Sequence, residues 1–210
     1  MTVYTVLQLE QFLKLIAIYS RYINKIKIRQ SNMSNFKDSP KYDAEKNDYY
    51  TQKVMWENVS HLIPKDKVIW EACMLNSKSN SIQYWKELGY DCIGDTTWDM
   101  LNCDIPNCDI IITNPPFKTN LKKDILKKLV EIDKPFMLVM NTTNMFCKYM
   151  RDIFKDNIKY LQIVVPKGKI VFEEYDAETE KMVKCKKGPS FYCSYICYKM
   201  DIPAENLWLN

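Results

Sequence analysis

The sequence predicts an α/β domain over residues 49–200, with a mostly parallel sheet and a C-terminal antiparallel hairpin. Three observations carry that expectation. Short runs of β-branched and apolar residues alternate with segments of helical apolar spacing, as successive β-α units do. The run Ile110-Ile111-Ile112-Thr113 is apolar without alternation, which is how a parallel strand covered on both faces reads. Near the C-terminus two alternating runs flank Asp176-Ala177-Glu178-Thr179, a hairpin inserted before a last strand.

Composition bounds the function. At 210 residues the chain is long enough for one domain with a sizeable core. Its 47% apolar and 13% aromatic content excludes a disordered chain. A net charge of +4 accommodates a nucleic-acid substrate without demanding one. Eight cysteines include no C-x-x-C pair, and the single histidine, His61, is remote from Cys103/Cys108 and Cys193/Cys197. Buried free thiols in a reducing compartment are therefore expected, with no metal centre. No apolar run approaches the roughly 20 residues of a membrane span, and no signal-type cleavage site is present. The expected location is intracellular, cytoplasmic or nuclear.

In chain order, residues 1–32 carry Val6, Leu9, Phe12, Leu13, Ile16, Tyr19, Tyr22, Ile23 and Ile26 at helical spacing among basic residues. They read as an amphipathic helical segment that docks on the domain itself, on a partner or second copy, or on a membrane surface, with docking on protein favoured. Residues 33–48 are polar and aperiodic, a flexible linker, and Met33 is an alternative start. Thr51 is placed to cap a helix with Val54, Met55, Val59 and Leu62 on its apolar face. Residues 67–71 form a buried strand, 79–88 a helix with Ile82, Trp85 and Leu88 inward, and 90–94 a second strand. That is the opening of a β-α-β unit, which takes ligands at the carboxyl ends of its strands. After Ile110–Thr113, a stripe of Leu121, Ile125, Leu126, Leu129 and Ile132 marks a helix, with Lys122, Lys123, Lys127 and Lys128 on its solvated face. Strands at 136–140 and 161–166 enclose a helix at 145–154; the hairpin strands cover 169–173 and 181–185, and the closing strand 191–198. Residues 201–210 are a C-terminal tail.

The stretch that organises the rest is Asn114-Pro115-Pro116-Phe117, at the end of the triple-isoleucine strand. The Asn114 amide oxygen can accept one N–H of an exocyclic amine and the Pro115 carbonyl the other. Two prolines fix φ near −65°, so the turn is rigid and its carbonyl stays aimed. Phe117 offers a flat face to a base, worth roughly 1–3 kcal/mol. Two acceptors drawing on one amine make its nitrogen lone pair more available.

Asn114-Pro115-Pro116-Phe117 resembles the catalytic (D/N/S)-P-P-(Y/F/W) motif of S-adenosylmethionine-dependent amino-methyltransferases, above all the N6-adenine enzymes. The resemblance covers roughly residues 49–200 and implies a Rossmann-like class I methyltransferase fold with S-adenosylmethionine as cofactor. It assigns Asn114, Pro115, Pro116 and Phe117 to catalysis. Tyr50-Thr51 is similar to the family's Y-T-P element, which meets the methionine portion of the cofactor, with Gln52 in place of proline. Glu71 matches the acid after the first strand, and Ala72, Cys73 and Asn76 lie in the cofactor loop. Asp95 falls where an acid meets the ribose, and Asp99 where one meets the adenine amine. Lys118 and Asn141 are expected at the substrate.

The departure is the loop 72–79, which lacks the family's glycines. Asn76 can enter the left-handed region in their place, so the loop either binds the cofactor in a variant way or has ceased to. The reading is methyl transfer to an exocyclic amine, adenine N6 in RNA or in single-stranded or flipped-out DNA. Two alternatives stand beside it: a catalytically silent nucleic-acid-binding or scaffolding subunit, and a protein glutamine methyltransferase.

Overall fold

The computed structural model describes residues 49–185, 188–203 and 208–209. The expectations for residues 1–32 and 33–48 lie outside the described residues. In chain order the elements are β1 (Tyr50–Thr51), α1 (Lys53–Ser60), β2 (Val68–Trp70), α2 (Ser81–Glu87), β3 (Asp91–Ile93), β4 (Ile110–Thr113) and α3 (Thr119–Ile132). They continue with β5 (Phe136–Asn141), a 3-10 turn (Thr142–Phe146), α4 (Lys148–Phe154) and a second 3-10 turn (Ile158–Tyr160). Four strands close the chain: β6 (Leu161–Val164), β7 (Phe172–Asp176), β8 (Lys181–Lys184) and β9 (Cys193–Tyr198).

Six strands form the central sheet in the order β3-β2-β4-β5-β9-β6. β2 pairs parallel with β3 and β4, and β4 with β5, while β9 runs antiparallel to both β5 and β6. This is the expected α/β architecture, a mostly parallel sheet with the antiparallel strand β9 lying between β5 and β6. Every residue of β4 is buried. Ile110 and Ile112 face one core with Trp56, Val59 and Trp85 from α1 and α2. Ile111 faces the other, with Ile125, Leu126 and Leu129 of α3 and Phe154 of α4. Successive strand side chains point to opposite faces, so a strand with helices on both sides is apolar throughout. Each fully buried isoleucine contributes about 1.5–3 kcal/mol.

Several sequence expectations change. Thr51 does not cap α1; it lies in β1, paired antiparallel with Phe172 of β7, and Gln52 takes the cap position without a side-chain hydrogen bond. The Gln52 amide instead donates to the Phe172 carbonyl at 3.0 Å. A strand partner distant in sequence outcompetes the local capping preference of a threonine. The hairpin β7–β8 joins β1 in a separate three-stranded sheet and does not extend the central one. The helix expected at 145–154 begins only at Lys148, because Cys147 is extended at φ −80°, ψ 143° and separates it from the 3-10 turn.

The stripe of α3 also differs. Its buried positions are Lys122, Ile125, Leu126 and Leu129, while Leu121 is exposed. Lys122 therefore leaves the solvated face to which its charge would assign it. It stands at i−3 and i−4 from Ile125 and Leu126, so the helical period places it inward whatever its side chain. Elsewhere, Ile202 donates its N–H to Gln162 at 3.1 Å and Leu209 donates to Val165 at 2.9 Å, which ties the described parts of the C-terminal segment to the β6 edge. No helix among the described residues is long and apolar enough to cross a membrane.

Candidate active site

The sheet order reverses between β2 and β4, and open α/β sheets take ligands in the crevice outside the strand ends at such a point. Glu71 leaves β2 there and Asn114 leaves β4. Thr113 joins the two ends: its hydroxyl donates to the Glu71 carboxylate and accepts the Cys73 N–H at 3.1 Å. Glu71 is only 3% exposed. Burial pushes its carboxyl up to about 7, against the lowering effect of the Thr113 hydrogen bond. Cys73 is held at about 12, chiefly by burial. Its thiol stays protonated and is no nucleophile.

The glycine-free loop adopts a glycine-like backbone at one residue. Asn76 has φ +53°, the left-handed region that asparagine tolerates and β-branched residues do not. The turn is closed by Ser77 N–H to Met74 O at 2.8 Å, and Asn76 N–H donates to Thr96 O at 2.9 Å, tethering the loop to the segment after β3. Close approach is provided from the other side. At Gly94 a Cβ would lie 2.8 Å from the Glu71 carbonyl and 2.8 Å from Ile82 Cδ1. The exit of β3 thus presses on the exit of β2 where only glycine fits. Asp95 is exposed, and one of its oxygens accepts from Thr97 N at 2.7 Å and Thr97 Oγ1 at 2.5 Å. Those hydrogen bonds hold its carboxyl below the usual range. The Asp99 oxygens accept from Leu101 N at 3.1 Å and Asn102 Nδ2 at 2.6 Å, so Asp99 also organises its own turn.

The Asn-Pro-Pro-Phe turn is braced from the N-terminal side of the domain. The Asn114 amide donates through Nδ2 to the Tyr49 carbonyl at 2.7 Å. A carbonyl can only accept, which sets the amide's orientation and turns Oδ1 away. Oδ1 is buried and has no hydrogen-bond partner among the described residues. Pro115 is buried and Pro116 exposed. Phe117 packs edge-on against Tyr49 at 5.8 Å and Phe172 at 6.2 Å, and tilted against Phe191 at 5.4 Å between ring centroids. Thr51 is 1% exposed, and its hydroxyl too lacks a partner among the described residues.

The fold therefore brings Tyr49, Asn114 and Phe117 into one cluster, with Tyr50 and Thr51 adjacent in sequence on β1. It joins Glu71, Cys73 and Thr113 in another. Ala72, the first residue of the loop, is buried. Lys118 stands exposed at the N-cap of α3. Asn141 ends β5 and accepts through Oδ1 from Thr143 N at 2.9 Å and Thr143 Oγ1 at 2.8 Å, which fixes the 3-10 turn. Sequence reasoning missed Tyr49, Thr113, Phe172 and Phe191. Thr113 follows the isoleucine run directly and was open to notice; the three aromatics meet Phe117 only through long-range packing. Among the described residues no group of three or more His, Cys, Asp or Glu side chains is arranged to hold a metal ion.

No protein-family model matches the chain, and no curated protein matches it in sequence. Among solved structures it is similar to a protein assigned as a class I S-adenosylmethionine-dependent methyltransferase from Listeria monocytogenes, at 12% identity and TM-score 0.43, covering 86% of this chain and 70% of that one. It is similar to precorrin-6y C5,15-methyltransferase from Geobacter metallireducens at 15% identity and TM-score 0.36, covering 70% and 85% respectively. A third likeness is to the tRNA (m1A58) methyltransferase of Aquifex aeolicus, at 10% identity and TM-score 0.33, covering 69% and 66%.

Proposed function

We propose that this chain is an S-adenosylmethionine-dependent methyltransferase acting on an exocyclic amine, adenine N6 in RNA or DNA. The observation that carries the reading is the state of Asn114. Its NH2 is occupied by Tyr49, and its carbonyl oxygen is buried at the rigid Pro-Pro turn and unpaired among the described residues. A buried acceptor without a donor costs about 1–3 kcal/mol, a cost removed by an amine N–H placed against it. The Pro115 carbonyl is the second acceptor, and Phe117, braced by three aromatic rings, is the stacking surface.

The residues at the strand ends suit the cofactor. Asn76 supplies the left-handed turn, Gly94 the close approach, Thr51 an unpaired hydroxyl, and Asp95 a carboxylate for a diol. Tyr50, Glu71, Ala72, Cys73 and Asp99 complete that wall. S-adenosylmethionine supplies an electrophilic methyl group on a sulfonium. The chain's own part is to hold the amine in line, to draw on its N–H groups through two acceptors and to exclude water, so positioning and electrostatics provide the rate.

The test is methyl transfer from labelled S-adenosylmethionine to RNA and single-stranded DNA oligonucleotides containing adenine. The wild-type chain labels adenine N6, and Asn114→Ala lowers kcat about 10²–10³-fold while cofactor affinity, read by calorimetry, is unchanged. Calorimetry that finds no cofactor binding to the wild type at millimolar concentration overturns the reading in favour of a silent, scaffolding subunit.

A further inference from the structure

A cavity of about 420 Å³ lies between the hairpin β7–β8 and α2 with the segment before it, within the roughly 300–1,000 Å³ that small ligands occupy. No residue assigned above to the cofactor or to the amine lines it. Its walls include two lysines, Lys78 and Lys181, and two carboxylates, Glu173 and Glu180. Among the described residues none of these four forms an ion pair. Glu173 is built into the wall: it is 8% exposed, and Tyr84 donates its hydroxyl to Oε1 at 2.8 Å. The other oxygen, Oε2, has no hydrogen bond among the described residues and is not sealed from the surface. Lys184 stands opposite Glu173 in the β7–β8 ladder without pairing to it. The Tyr84 phenol is neutral, so the carboxylate is desolvated with no cation to offset the cost. Burial accordingly raises its proton affinity, the Tyr84 hydrogen bond opposing that shift.

The charge pattern selects the ligand. A phosphate group would meet Glu173 and Glu180, and a metal cation would meet Lys78 and Lys181; like charge opposes each. A molecule carrying both signs meets neither objection. The Lys78 ammonium lies 5.5 Å from the centroid of the Tyr175 ring, a cation–π contact that holds it at the wall and leaves its N–H donors unspent. Tyr84, Tyr175 and Met182 give the same cavity apolar surface. We propose that the cavity between α2 and the hairpin binds a free α-amino acid with an apolar side chain. Its ammonium meets the Glu173 carboxylate, its carboxylate meets Lys78 and Lys181, and its side chain lies against Tyr84, Tyr175 and Met182. S-adenosylmethionine also carries an amino-acid end, so the test must tell this cavity from the crevice at the strand ends.

L-phenylalanine is titrated into the isotope-labelled full chain at constant ionic strength, and the amides of residues 78–84 and 172–182 are followed by NMR. Two probes of the same skeleton are titrated separately: phenethylamine, which lacks the carboxylate, and 3-phenylpropionate, which lacks the ammonium. Saturable shifts at these amides are expected with L-phenylalanine. Each truncated probe binds about tenfold more weakly or worse, the loss of one charged hydrogen bond. Glu173→Gln keeps an acceptor for Tyr84 and removes the charge, and Lys181→Met changes only an exposed strand position. Each variant weakens L-phenylalanine by about tenfold. S-adenosylhomocysteine, added in excess, leaves the L-phenylalanine affinity unchanged. No saturation by roughly 20 mM L-phenylalanine, equal binding of the three probes, unchanged affinity in either variant, or displacement by S-adenosylhomocysteine would each overturn the proposal. The residues tested lie outside the Asn114–Phe117 turn, so methyl transfer is judged independently of this result.

Discussion

At the scale of single residues, the site depends on partners that leave one polar atom free. Asn114 is held through its nitrogen by a carbonyl 65 residues earlier, which is why its oxygen stays available. Glu71 is the counterpart on β2, buried and raised to about 7 from an unfolded value of 4.5. The folded state therefore binds this proton more tightly than the unfolded chain. Its stabilising contribution is complete below pH 4.5 and is lost as pH rises through 7, about 3 kcal/mol over the window. Glu71→Gln keeps an amide oxygen for Thr113 and removes the titration. Urea unfolding at pH 5 and pH 7.5 should show a decline in the wild type that the variant lacks; equal declines in both would assign the pH dependence elsewhere.

At the scale of elements, the crevice is built where strands exit and turns must fit closely. Gly94 lets the end of β3 lie against the Glu71 carbonyl, where a Cβ would approach to 2.8 Å. Gly94→Ala must displace either that backbone or Ile82, and overpacking of this kind costs about 1–3 kcal/mol. Chemical denaturation measures the loss, and affinity at the proposed S-adenosylmethionine site should weaken with it, because the same shift moves the loop tethered at Asn76 and Thr96. A variant as stable as the wild type would mean that Ile82 rotates aside without strain. The sheet β1–β7–β8 plays the matching part for the Asn114–Phe117 turn. It sets Tyr49 and Phe172 against Phe117, so the position of that ring is fixed in part by a hairpin far along the chain.

At the scale of the whole molecule, all eight cysteines are free thiols, five of them buried and only Cys147 exposed. Burial raises Cys73, Cys92, Cys185, Cys193 and Cys197 well above the ordinary thiol range. Only the thiolate reacts. Mild alkylation of the native protein, mapped by mass spectrometry, should therefore label Cys147 first, and a reducing agent should leave Tm unchanged. A Tm that falls on reduction would contradict the free thiols.

What the sequence by itself determined is local in its physics. The alternation of apolar strands and amphipathic helices, the buried β4 run and the rigid Asn-Pro-Pro-Phe turn follow from side-chain shape and fixed φ angles, as does the left-handed tolerance of Asn76. These needed no knowledge of distant partners. Only the tertiary structure decided that Thr51 pairs with β7 instead of capping a helix, that Thr113 ties Glu71 to the neighbouring strand end, and that Tyr49 orients the Asn114 amide. It also decided that Lys122 is buried at an uncapped helix end. The reason is common to all four. Hydrogen-bond competition and desolvation depend on which segments the sheet order brings together, and contacts spanning tens of residues leave no periodic trace in the chain.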